Sequence, residues 1–164
     1  MASRPVAGWK TVYPLPYGAG ARREAASKDC DPMFAAGLIR QESTFQADIV
    51  SYAHAIGLMQ VLPKTGKILA KQLKLRYSKN LLYDANYNLQ LGMLYIANLV
   101  RLTGAPEYAA AAYNAGADRI ALWTSERNCE GLPELVESIP FPHTSKHGPL
   151  VFCNAPAHRR LYGS

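Results

Sequence analysis

The chain has 164 residues, 49% of them hydrophobic and 18% charged, with a net charge of +6. This length and balance predict one domain with a core of its own and exclude a disordered or fibrous chain. The positive balance admits a polyanionic partner without selecting one.

In chain order, residues 1–20 are rich in proline and glycine ("YPLPYGAGA") and read as an extended lead-in, with a domain over 21–164 behind it. The opening "MASRPVAGWK" has no apolar run of the kind a signal peptide carries. A first helix is expected near Ala21. The second is clearer: Asp31 suits an N-cap and Pro32 the first helical position. Phe34, Leu38, Gln41, Glu42 and Phe45 then share one broad face at a 3.6-residue period. "GLMQVL" reads as a short helix after a loop, and Pro63 as the start of, or a kink in, the next helix, "PKTGKILAKQLKL". Asp84 suits the cap of a longer helix through Leu102, with Leu89, Met93, Ile96 and Val100 as its stripe and Gly104 as its stop. Pro106 opens "PEYAAAAYNAG", which Gly116 closes, and "ADRIALW" reads as another short helix. Alternating strand patterns are absent, so the expected class is a compact all-α domain. Beyond Leu132, Gly148, Pro149 and Pro156 oppose a continuous helix.

Lys64, Lys67, Lys71, Lys74, Arg76 and Lys79 follow one another with no acid between Asp48 and Asp84. This is either a solvated face or a surface for an acidic polymer such as bacterial cell wall. No nucleic-acid motif accompanies the bases, and no nucleic-acid partner is expected. The longest apolar run, "LGMLYIANLV", is too short to span a bilayer. Cys30, Cys129 and Cys153 lie at no metal spacing and leave room for one disulfide or none. His54, His143, His147 and His158 show no zinc-protease pattern, so neither metal nor cofactor is expected.

Glu42 carries the chemical interest. It lies on the apolar face near a helix end, a costly place for an unpaired charge. Apolar surroundings favour the neutral form of a carboxyl, and a neutral carboxylic acid can donate a proton to a leaving oxygen. The alternative is a glutamate that pairs with a base or reaches solvent. A serine hydrolase is excluded for want of a nucleophile elbow. By residue type alone, Met59, Tyr108 and Tyr113 suit a core.

"RQESTFQADIVSYAHAIGLMQVLPKT" resembles the signature of soluble lytic transglycosylases: a Glu-Ser pair, a spaced serine, Gly-Leu-Met-Gln, then Pro-x-Thr. "AAAYNAG" is similar to the family's Ala-Tyr-Asn-x-Gly motif and "VESIPF" to a third. The resemblance implies a lysozyme-like helical fold. It implies cleavage of the β-1,4 bond between N-acetylmuramic acid and N-acetylglucosamine in peptidoglycan, leaving a 1,6-anhydro product. It assigns Glu42 as the catalytic acid and base, and Ser51, Met59, Gln60, Tyr113, Asn114 and Glu137 as substrate contacts. Ser43 is expected to be structural. The partner implied is the peptidoglycan glycan strand, met in the periplasm or cell envelope by a monomer.

The chain departs from the family after "SIPF". His143, Ser145 and His147 stand where the family usually carries Glu, Arg and Tyr, so residues 143–157 are expected to be less regular than the family's helix. His54 replaces a frequent glycine, and Gly18 and Gly20 fall where a bulkier helix start is usual. Two other readings stand beside the resemblance. One is goose-type lysozyme hydrolysis on the same fold; the other is a peptidoglycan-binding module of weak or no activity.

Overall fold

A computed structural model of the chain describes residues 16–115. Five α-helices and one 3-10 turn follow in order: α1 (Gly18–Ala26), α2 (Pro32–Ser43), α3 (Pro63–Gln72), the 3-10 turn (Lys79–Tyr83), α4 (Ala85–Thr103) and α5 (Pro106–Ala115). No strand occurs among the described residues; two isolated bridges, Val50 with Ile56 and Ile56 with Val61, are the nearest approach to one. The all-α class stands.

Capping residues set the helix ends. Asp31 accepts the Met33 amide at 2.9 Å and opens α2, with Pro32 in the first turn, where no amide is needed. Asp84 accepts the Tyr87 amide at 2.7 Å and opens α4. Gly104 ends α4 at φ 76, its amide donating to the Val100 carbonyl. Pro63 starts α3. The first helix begins at Gly18, earlier than the expected Ala21, and Gly18 itself is buried.

α4 is the axis of the domain. It packs against α5, α1, α3 and the 3-10 turn, and its Leu89, Leu91, Met93 and Ile96 are fully buried. Leu38 and Ile39 of α2, and Ile56, Leu58 and Met59 of the following loop, complete the centre of the core.

The segment "GLMQVL" is not the short helix its residues suggest. Gly57 takes φ 81, and a Cβ there would lie 2.5 Å from both the Asn88 amide nitrogen and the Leu82 carbonyl oxygen. Gln60 is also left-handed, at φ 49. Such reversals rule out a helical run, and the backbone instead folds into a tight turn between the bridges at Ile56 and Val61.

Among the described residues no helix is long and apolar enough to cross a membrane. Cys30 is a free thiol. Burial, then the charge of Asp31, push it up to about 11, so it is inert as a nucleophile at neutral pH. Cys129, Cys153, the helix expected at "ADRIALW" and the irregular segment expected at 143–157 lie outside the described residues.

Candidate active site

Glu42 stands in the last turn of α2, half-buried, with its Oε1 atom buried. The helix stops directly behind it by an abrupt reversal. Thr44 and Phe45 both adopt left-handed backbone, at φ 52 and 64, which is costly for residues with a Cβ and most of all for a β-branched one. The reversal turns Phe45 back into the core, where it is 6% exposed. It thereby fixes where the helix ends and where Glu42 sits.

The turn 57–60 is held by three side chains from three helices. From α2, the Ser43 hydroxyl donates to the Leu58 carbonyl at 2.7 Å, sharing its proton with the Ile39 carbonyl at 3.2 Å. From α4, Asn88 accepts the Met59 amide at 2.8 Å and donates to the Ile56 and Leu82 carbonyls, each at 2.8 Å. From α5, the Tyr113 hydroxyl donates to the Met59 carbonyl at 2.7 Å. Each bond is buried, so each restrains the turn more strongly than it would in water. The structural role expected of Ser43 is the one found.

Tyr113 also connects the turn to the glutamate. Its hydroxyl is held un-ionised well above the ordinary tyrosine range, first by burial, then by the negative field of Glu42, then by Tyr95. Glu42 and Tyr113 are therefore electrostatic neighbours. Tyr95 packs on Tyr113 at a ring-centroid distance of 5.0 Å and a tilt of 48°. A cavity of about 140 Å³ opens beside them, lined by Gln60, Thr65, Tyr95, Tyr113 and Asn114 among others. A larger cavity, about 260 Å³, lies between the α1–α2 junction and the end of α4, lined by Lys28, Cys30, Phe34 and Arg101 among others. It contains none of the residues expected in the site.

The expected site residues thus fall into groups. Gln60, Tyr113 and Asn114 share one cavity, and the charge of Glu42 bears on Tyr113. Ser51 lies on the intervening loop, where its Oγ accepts the Ala55 amide at 3.1 Å and its own amide donates to the Ala55 carbonyl at 3.0 Å. Its hydroxyl proton is left for another acceptor. The Met59 side chain is fully buried, packs on Gly92 and is not among the residues that line the cavity. Glu137 lies outside the described residues.

Two residues escaped the sequence reading. Asn88 is fully buried and Gly92 sits one turn beyond it. A Cβ on Gly92 would lie 2.6 Å from the Met59 Cβ. The available signal was an asparagine and a glycine four residues apart on one side of α4, among apolar neighbours.

The site thus consists of one half-buried glutamate at a helix end, and a tyrosine-lined cavity that includes the phenol on which its charge bears, in a helical domain built around α4. The family model for the transglycosylase SLT domain matches residues 21–131. The soluble lytic murein transglycosylase of Escherichia coli K12 is 31% identical over 138 residues, which are 80% of this chain and 21% of the relative. The solved 70 kDa soluble lytic transglycosylase of Escherichia coli superposes with a TM-score of 0.87 at 28% identity, covering 95% of this chain and 26% of that one. The lytic transglycosylase Slt of Pseudomonas aeruginosa, solved as an inactive glutamate-to-glutamine mutant, gives a TM-score of 0.86 at 27% identity, covering 94% of this chain and 26% of that one. The chain belongs to the transglycosylase SLT domain family. It spans about a fifth of the length of the curated Escherichia coli relative.

Proposed function

We propose that the chain is a peptidoglycan lytic transglycosylase, with residues 21–164 as its catalytic unit. The observation that carries the reading is Glu42, half-buried at the end of α2 and close enough to Tyr113 for its charge to act on the phenol. No second carboxyl is needed. Glycosidases that use water or an enzyme nucleophile generally pair two carboxyls across the bond. Here the substrate's own O6 hydroxyl is the nucleophile. Glu42 gives its proton to the glycosidic oxygen, and the bond from that oxygen to C1 of N-acetylmuramic acid breaks. The neighbouring N-acetyl group stabilises the positive charge at C1. The Glu42 carboxylate then takes the O6 proton as O6 bonds to C1, which restores the acid and closes the anhydro ring. Intramolecular attack gains the advantage of proximity.

Ser51, Gln60, Asn114 and Glu137 are proposed to contact the sugars, and Tyr113 to orient the acid. The family membership and the inactive glutamate-to-glutamine form of the Pseudomonas relative support a glutamate-dependent reaction. With such a substrate, the proposed place of action is the periplasm or cell envelope.

The test is mass spectrometry of muropeptides released from purified wall. The parent chain should release anhydro-muropeptides. Glu42→Gln, which keeps the shape but cannot cycle a proton, should lower the rate by orders of magnitude while retaining wall binding. Products with ordinary reducing ends would assign lysozyme-type hydrolysis instead. Wall binding by the parent with no release would leave a binding module.

A further inference from the structure

The six cations that follow the turn are all exposed, and among the described residues none of them takes part in an ion pair. The chain has no acid from residue 49 to residue 83. On α3, Lys64, Lys67 and Lys71 fall at spacings of three and four and form one row about 10 Å long. The opposite side of α3, with Gly66, Leu69 and Ala70, is buried in the core. Lys64 stands in the first turn of the helix, where the peptide dipoles disfavour a cation, and no acid in that turn offsets it. A local rule broken without compensation inside the fold points to compensation from outside. The row also begins at the cavity: Leu62 and Thr65 line it, and Lys64 lies between them in sequence.

We propose that the α3 lysine row is a carboxylate-binding surface for the peptide stems of the glycan strand whose sugars occupy the cavity. The proposal rests on the reading above that the chain acts on cell-wall glycan. Peptide stems carry free carboxylates and project from the sugar backbone, and successive stems along a β-1,4 strand are separated by a length comparable to that of the lysine row. A membrane surface fits less well. An interfacial helix needs an apolar face to insert, and the apolar face of α3 is already committed to the core, leaving Ile68 as its exposed apolar side chain.

The experiment is a two-by-two comparison. Binding of the parent and of the Lys64→Gln, Lys67→Gln, Lys71→Gln triple variant is measured by co-sedimentation with native wall. It is repeated with the same wall after its carboxyls are coupled to methylamine and made neutral. Exposed ion pairs of this kind predict that the triple variant binds native wall about tenfold more weakly at low salt, an effect that fades as salt rises. On amidated wall, parent and variant should bind alike. Equal binding of the two proteins to native wall overturns the proposal. So does a tenfold loss that persists on amidated wall, because the lysines would then touch something other than carboxylates. Lysine-dependent binding to phosphatidylglycerol vesicles that exceeds binding to native wall overturns it in favour of a membrane surface. Glu42-dependent release of anhydro products from amidated wall reports separately on the catalytic reading, whichever way the lysines fall.

Discussion

Tyr113 joins the acid to the turn beneath it. Its hydroxyl restrains the Met59 carbonyl, its ring packs on Tyr95, and Glu42 acts on it through space. Tyr113→Phe removes one oxygen without opening a cavity and leaves a buried carbonyl without that donor, a loss of about 1–2 kcal/mol. Turnover should fall more than wall binding, because the lost bond fixes the turn beside the acid. Unchanged turnover would reduce Tyr113 to packing. The same residue gives a pH signature. Its folded hydroxyl ionises above the unfolded value near 10, so its stabilising effect is complete below that pH and is lost as pH rises through the folded value. The difference in melting temperature between parent and Tyr113→Phe should be constant from pH 7 to about pH 9 and shrink towards pH 11. His54 belongs to the same scale. The resemblance puts a glycine there, and the backbone at φ 64 shows why, since a Cβ is disfavoured in that conformation.

Among the elements, α4 does the most positioning. Asn88 and Gly92 lie one turn apart and act on the same residue of the loop, one through the Met59 amide and the other by admitting the Met59 side chain. Asn88→Ala removes the partner it gives the Met59 amide and the Leu82 carbonyl and one of the two donors to the Ile56 carbonyl, which keeps the Val61 amide, at a cost of about 2–4 kcal/mol. Gly92→Ala forces a methyl into the Met59 side chain, at about 1–3 kcal/mol. Because both displace Met59, the double variant should lose less in chemical denaturation than the sum of the single losses. Strict additivity would show that the two act on separate parts of the structure. α2 contributes differently: its left-handed stop at Thr44 and Phe45 sets the position of Glu42 by ending the helix abruptly.

For the molecule as a whole, the centrality of α4 predicts the order of local stability. Amide exchange should be slowest in the middle of α4, around 88–97, and in the Ala35–Ile39 stretch of α2, where the side chains are almost all buried. Exchange in α1, which is exposed on much of its surface, should be faster; protection there equal to that of α4 would contradict the packing described. The starts of α2, α3 and α4 and the stop of α4 were legible in the sequence. Asp31, Pro32, Pro63, Asp84 and Gly104 act through their own backbone neighbours, and such local chemistry needs no tertiary contact. Glu42 was legible as a candidate for the same reason, since periodicity puts it on the apolar side of its helix. The amino-acid sequence could not decide the path of residues 57–60, because "GLMQVL" has helical composition and the turn, with Gly57 at φ 81, is packed against the distant Asn88 and Leu82. It also could not show that the Met59 side chain is buried against Gly92. That depended on a glycine 33 residues away, and contacts at such separation exist only after the chain has folded.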